Sequence, residues 1–372
     1  MLEISLQREK LLEPLQMIVN VVEKRQALLI LSHILIKCQN DLLTFIGSDG
    51  EMEVHSMMTL DHGDYHGVEF TIPGKKFSDI CRSVAENSII KIIVDDGKVT
   101  VLCGHSRFVM PSFPPAEFPL ASTQNGEIEV TVPSIDLAKL INKTSFAIPQ
   151  QDVRKYLNGL LFEVKDSKLM ALATDGHRLA MHKVSCTTTK NSFAQVIIPK
   201  KAISALNKIL TPTSQNITLG FSENFVNVIG DNCTLIAKLI SGKFPNYNKI
   251  IPSKGDLELK INCADIKQAL IRVNILSSDL FRSVQFTIGK GRLILGTNNP
   301  EQEEAVEEIM VDYQKPAITM TFNIGYLLDI LSTIDDHHAV KIFFNDGGSS
   351  VVVEEETDNG PDCFYVLMPI RY

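Results

Sequence analysis

Two clusters in this 372-residue chain carry side chains that could do chemistry. In Asp175-Gly176-His177 a carboxylate and an imidazole stand two residues apart, the makings of an acid–base pair. A hydrolase built on His177 would also need a nucleophile and a third group to orient the ring, and neither stands nearby. Asp335-Asp336-His337-His338 offers metal-type ligands, but side by side rather than at spacings that let several converge on one ion, so it reads as a polar turn after a helix. The seven cysteines (Cys38, Cys81, Cys103, Cys186, Cys233, Cys263, Cys363) are odd in number, widely spaced and free of C-x-x-C. They read as buried thiols of a reducing cytoplasm rather than a disulfide framework or a zinc site. No G-x-x-x-x-G-K-[ST] loop is present to cradle ATP phosphates. The expectation is therefore a non-enzyme without metal or cofactor, with a His177 hydrolase as one rival.

The elements that position these residues follow a repeat. Hydrophobic residues make up 44% and charged residues 22%, an ordinary globular balance, and the length suits two or three domains. No apolar run approaches the ~18 residues of a membrane span, and the opening Met1-Leu2-Glu3-Ile4-Ser5 reads as a strand rather than a signal peptide. Gly47-Ser48-Asp49-Gly50, Ala173-Thr174-Asp175-Gly176 and Gly296-Thr297-Asn298-Asn299 resemble one another, with Asp49, Asp175 and Asn298 spaced 126 and 123 apart. A second marker, centred on Pro73, Pro199 and Asn323, recurs at 126 and 124, and Phe118-Pro119 recurs 126 later as Phe244-Pro245. Three markers in one order at one period indicate three copies of a unit of about 125 residues.

Each copy reads alike. A strand opens it (3–6, 128–132, 257–261), followed by a helix with apolar residues at helical spacing, as in Leu11, Leu12, Leu15 and Val19. Ser134 and Asn262 read as helix N-caps. Strands follow (160–164, 169–173), then a second helix after the Pro or Asn marker, then alternating strands such as 89–94 and 99–103 joined through Asp95-Asp96-Gly97-Lys98. The fold class is α+β: three repeated domains (1–125, 126–252, 253–372), each with two helices packed on a mainly antiparallel sheet. The boundaries fall at Thr123-Gln124-Asn125-Gly126 and Pro252-Ser253-Lys254-Gly255.

The net charge of −8 argues at first against nucleic acid, yet it is unevenly placed. The six expected helices (8–22, 74–84, 134–145, 200–209, 264–275, 324–333) hold twelve basic and six acidic residues, +6, leaving 24 basic and 38 acidic residues elsewhere, −14. A basic helical layer on an acidic body is what a surface facing DNA needs.

Four strings then resemble a known family: Gln151-Asp152-Val153-Arg154-Lys155-Tyr156-Leu157-Asn158-Gly159, Thr174-Asp175-Gly176-His177-Arg178-Leu179-Ala180, Asn298-Asn299-Pro300-Glu301-Gln302-Glu303-Glu304 and Val366-Leu367-Met368-Pro369-Ile370-Arg371. With the three-fold repeat, they make the whole chain resemble the bacterial DNA sliding clamps, the beta subunits of the replicative polymerase. That resemblance implies a ring closed by a head-to-tail homodimer, which encircles duplex DNA as a processivity factor without reading sequence. Twelve helices at ~10 Å each would place their axes on a circle about 38 Å across and leave a hole of about 28 Å; six would leave about 9 Å. Only the former clears a duplex of roughly 20 Å, so a ring needs two chains.

The resemblance also implies residue roles. Arg25, Lys75, Gln151, Lys155 and Tyr156 would face DNA, with Lys155 replacing a Tyr that some relatives carry. The dimer interface would set Lys76, Arg107, Phe108 and Met110 of the first copy against Ile275, Leu276, Glu301, Glu303 and Glu304 of the third, within an acidic run that includes Glu307 and Glu308 and is broken by Val306. A groove for short peptides of polymerase, clamp loader and repair proteins would be lined by Arg154, Tyr156, Leu157, Thr174, Gly176, His177, Arg178, Leu179, Pro245, Ile250, Ser350, Val366, Met368, Pro369, Ile370 and Arg371. Leu367 and Tyr372 depart from common forms of the family's tail. Without the family, the tail reads as an edge strand, and the repeat alone also fits an interaction scaffold that never meets DNA.

Overall fold

The computed structural model describes residues 2–22, 28–39, 41–60, 67–121, 126–189, 194–210, 213, 215–278, 282–345, 349–357 and 362–371. Arg25, Thr123-Gln124-Asn125 and Tyr372 lie outside them. Six α-helices occur among the described residues: α1 (Arg8–Val19), α2 (Gly74–Ser83), α3 (Ser134–Asn142), α4 (Lys200–Ile209), α5 (Cys263–Asn274) and α6 (Ile324–Leu331). Each lies within a residue or a few of its expected span. None is long and apolar enough to cross a membrane.

The order strand, helix, four strands, helix, three strands recurs three times, with a two-residue strand, Thr187–Thr188, added in the second copy. Among the described residues the strands pair antiparallel within each unit, as in Leu2–Gln7 with Ile89–Asp95 and Leu257–Asn262 with Ala339–Phe344. The described residues form two compact units, 1–138 with 186–240 and 139–185 with 241–372. These cut across the sequence copies because neighbouring copies share sheets. In the first unit, Cys233–Lys238 of the second copy pairs with Met52–Thr59 of the first. In the second unit, Arg178–Ser185 of the second copy pairs with Cys363–Leu367 of the third. The strand Cys363–Leu367 is flanked on its other side by Val351–Glu355, so the tail is an interior strand and not an edge.

Helical spacing builds the core as expected. In α1, Leu11, Leu15 and Ile18 are fully buried together with Pro14, while Leu12 and Val19 are half-buried at the border of that face. The helix lies so close to the strand Leu42–Ser48 that a Cβ on Gly47 would come 2.3 Å from Ile18 Cγ2. Asn262 caps α5, its side-chain oxygen accepting from the amides of Ala264 and Asp265. Ser134 does not stand before α3 but is its first residue, 2% exposed, its amide donating to the Gln215 carbonyl. The Asp-Gly hairpin forms at Asp96-Gly97, both with positive φ, between strands that pair Asp95 with Lys98. All seven cysteines are free thiols, yet only Cys38, Cys81, Cys263 and Cys363 are buried; Cys103, Cys186 and Cys233 are half-buried.

Each unit also holds a four-stranded sheet with a free edge. In the first unit the order is Leu2–Gln7, Ile89–Asp95, Lys98–Cys103, Ser106–Pro111, and in the second Glu304–Met310, Arg292–Asn298, Ser283–Gly289, Ile318–Asn323.

Candidate functional site

The second unit carries a cavity of about 230 Å³ that gathers Arg154, Leu157, Thr174, Gly176, His177, Arg178, Leu179, Pro245, Ile250, Val366 and Met368. Eleven of the sixteen groove residues expected from sequence thus surround one space, whereas Tyr156, Ser350, Pro369, Ile370 and Arg371 are not in its lining.

The walls are built by short-range hydrogen bonds. At the end of the strand Lys168–Thr174, the Asp175 carboxylate accepts from the amides of His177 and Arg178 (2.9 and 3.0 Å) through Oδ1 and from Arg178 Nε (3.1 Å) through Oδ2. Thr174 Oγ1 donates to the Arg178 carbonyl and accepts from the Gly176 amide. This knot uses Asp175 to fold the turn and hold Arg178 rather than to polarise His177, so the acid–base pair suggested by their spacing is not assembled. Gly176 has φ +91°, and a Cβ there would approach Arg154 within 3.2 Å, so the turn and the neighbouring guanidinium both favour glycine. Opposite it, Asp152 holds the loop 151–158. Its amide donates to Asn158 Oδ1, its carbonyl accepts from Asn158 Nδ2, and its carboxylate grips Arg154 in a bidentate pair at 2.9 and 2.7 Å. Hydrogen bonds from Arg154 bring the Asp152 carboxyl down to about 2.

Arg178 is the rivet of the groove. Its guanidinium lies over the rings of Phe146 (5.1 Å) and Tyr326 (4.4 Å), donates to the Phe146 carbonyl (2.9 Å) and pairs with Asp329 (2.6 Å) as well as Asp175. Tyr326 also stacks on His177 at 6.3 Å. Phe146, Tyr326 and Asp329 were not expected at this site. The legible signal was on α6, where Tyr326 and Asp329 lie three apart and so share a face. The C-terminal wall is a strap pinned twice, by the Met368 amide to the His177 carbonyl (2.9 Å) and the Ile370 amide to the Thr321 carbonyl (2.8 Å).

The other expected residues are placed as follows. Lys75 is half-buried on α2 of the first unit, and Gln151, Lys155 and Tyr156 sit in the 151–158 loop of the second, the first two exposed. Lys76 and Arg107 are exposed and Phe108 is half-buried. Met110 is only 6% exposed, because strand alternation turns it with Phe108 toward the core of its own sheet; Val109, 46% exposed, faces out instead. Ile275 is 75% exposed and Leu276 half-buried. In the acidic run, Glu301 and Glu304 are exposed, but Glu303 is tied to Asn299, Glu307 to Arg272 and Glu308 to Arg292. Among the described residues no group of three or more His, Cys, Asp or Glu could hold a metal ion.

Three family models match the chain in succession: the N-terminal domain of the DNA polymerase III beta subunit over 2–122, its central domain over 131–246 and its C-terminal domain over 248–371. The chain is 37% identical over 367 residues to the beta sliding clamp of Pseudomonas putida, with 99% of each covered, and 34% identical over 370 residues to that of Escherichia coli K12, with 100% of each covered. A crystal structure of the Pseudomonas aeruginosa sliding clamp bound to griselimycin, 36% identical, superposes with a TM-score of 0.95 over 100% of this chain and 99% of that one. The Caulobacter crescentus beta sliding clamp, with a polyethylene glycol bound to its putative beta-motif tethering region, gives 0.90 at 31% identity over 100% and 99%.

Proposed function

Because the chain belongs to the DNA polymerase III beta subunit family, the beta sliding clamps, we propose that it is a ring-forming clamp that encircles duplex DNA in the cytoplasm and tethers the replicative polymerase. The observation that carries this reading is full-length identity to named clamps together with a pre-built groove on the second unit. Its action is topological and involves no catalytic step. Lys and Arg of the helices attract phosphates without base readout, so the ring slides while closure prevents escape. Arg25, Lys75, Gln151, Lys155 and Tyr156 are proposed as neighbours of the DNA. Domain boundaries near 125 and 252 are proposed from the repeat.

Closure is proposed through the two free sheet edges. Ser106–Pro111 of one chain and Glu304–Met310 of another each leave a row of unpaired backbone groups. Exposed Val109 on the first and Val306 and Met310 on the second, with Ile275 nearby in sequence to the end of α5, supply apolar surface. Edge-to-edge pairing would be heterologous, and two such contacts would close a two-chain ring. Lys76, Arg107, Glu301 and Glu304 are the charges proposed to fix its register.

The groove is proposed to take short linear peptides of polymerase, clamp loader and repair proteins. Apolar Leu157, Leu179, Pro245, Ile250, Val366 and Met368 supply area, and Arg154, Arg178 and the turn at Gly176 supply direction. The test loads the protein onto nicked circular DNA with a clamp loader and ATP, washes at high salt, and then linearises half. Retention on circles with loss from linear DNA is expected. Equal loss from both would leave the scaffold reading.

A further inference from the structure

The second unit holds a larger cavity, about 640 Å³, lined by several charged side chains and apart from the proposed peptide groove. Lys139 and Lys143 enter it from α3 and the turn after it, His182 from Arg178–Ser185, Asp335 and His338 from the turn after α6, and Glu355 from the end of Val351–Glu355. At its centre one carboxylate serves two cationic groups. Glu355 Oε2 accepts from Lys143 Nζ at 2.5 Å, and Oε1 meets His338 Nδ1 at 2.5 Å. The Glu355 side chain is 10% exposed and Lys143 20%, while His338 is 49% exposed and so stands toward solvent. Lys139 lines the same space and has no ion pair among the described residues.

The charge count depends on one proton. With His338 neutral, Lys143 and Glu355 cancel. With His338 protonated, two cations share Glu355, and Lys139 adds a third positive charge against the Asp335 carboxylate, so the space turns net positive and offers donors to a phosphate oxygen. We propose that Lys143, His338 and Glu355, with Lys139 beside them, form a proton-linked site for a backbone phosphate of the encircled duplex. Both groups hold Glu355 at once through separate oxygens, so a proton on His338 shares the carboxylate charge and leaves part of the Lys143 charge for the phosphate; its loss leaves Glu355 to neutralise Lys143 alone. This rests on the clamp reading, which turns the helical layer toward DNA.

The neighbours favour the protonated imidazole. Glu355 and then Asp335 lift the His338 imidazole above its ordinary value, against desolvation and Lys143. The other titratable groups facing the space are occupied or out of range. Burial pushes His182 down, and its Nδ1 meets the Asp362 carbonyl. Asp362 pairs with Lys168, and burial lifts the Cys363 thiol to about 11; outside the lining, Asp336 pairs with Lys267 and Glu354 with Lys254. Asp335, held low by the His337 amide, stays charged throughout.

The test measures binding of the full chain to a fluorescent linear duplex at low salt, from about pH 5 to about pH 8, the span over which an imidazole titrates. Wild-type affinity should fall with rising pH. His338→Gln should bind up to about fivefold more weakly at the acid end, the contribution of one partly exposed ion pair, and should show a flatter profile. Glu355→Gln should bind more tightly than wild type at the alkaline end, because Lys143 is free there at every pH. Lys143→Gln should lower the salt slope by about one. A second measurement needs no variant: duplex should raise the His338 titration midpoint followed by NMR. Superimposable wild-type and His338→Gln profiles, or a midpoint unmoved by duplex, would overturn the proposal. If wild type is nevertheless retained on nicked circles, only this inference fails; if it is not retained, the clamp reading fails as well.

Discussion

Replacing Arg178 by Ala asks whether the groove is a receptor built in advance. The Arg178 and Asp175 side chains are 10% and 13% exposed, so their pair is effectively buried. Removing one partner of a buried pair costs about 3–5 kcal/mol. The lower end applies, because Asp175 would keep its two backbone amides. Loss of the guanidinium from the faces of Phe146 and Tyr326 adds about 1 kcal/mol, and the Asp329 pair, half exposed on the acid side, adds less than about 1. These terms share one side chain and do not add independently, so about 4 kcal/mol is expected against the second unit. With its wall gone, the groove should bind a partner peptide at least about tenfold more weakly. Arg178→Lys should recover part of the stability but little of the affinity, since an ammonium keeps the charge and loses the fork and the stacking face. The assays are urea unfolding followed by circular dichroism, the chain having no Trp, and peptide titration calorimetry. A loss below about 1 kcal/mol with unchanged peptide affinity would refute the reasoning.

Other outcomes are expected from separate parts of the chain. Ile275→Ala with Leu276→Ala should give monomers by light scattering, since Ile275 is 75% exposed and burying such a side chain is worth about 1.5–3 kcal/mol; an intact dimer would count against the interface. Deleting residues 368–372 removes the strap pinned to His177 and Thr321 and should abolish polymerase stimulation while sparing the dimer, so retained stimulation would contradict the groove assignment. Burial, helped by Lys76, lowers the His33 imidazole to about 4. The folded state then binds fewer protons than the unfolded one, and stability should drop as pH falls from about 6.5 to about 4, by at most about 3 kcal/mol. His33→Leu should lack that slope in pH-dependent unfolding, and equal slopes would exclude His33 as its source. His338, raised, acts in the opposite sense, losing its contribution as pH rises. Gly47→Ala should destabilise the first unit by about 1–3 kcal/mol in urea unfolding, because Ile18 must move; a neutral result would mean that α1 shifts freely.

The sequence by itself determined what depends on neighbours along the chain. Helices followed from 3.6-residue spacing, the Asn262 cap from a side chain that reaches its own first turn, and the Asp96-Gly97 hairpin from residues that tolerate positive φ. The three copies followed from marker spacing. Nine of the eleven residues that line the cavity were legible through the family strings, because they lie in short contiguous segments. What only the tertiary structure decided is what covers each face. The resemblance offered Met110 as an interface residue but could not say that it turns inward, and the tail read as an edge strand although Cys363–Leu367 is an interior one. Phe146, Tyr326 and Asp329 meet Arg178 across 32, 148 and 151 residues, and strands of neighbouring copies share sheets. Such pairings are fixed by long-range burial and backbone hydrogen bonding, which leave no mark in local residue order.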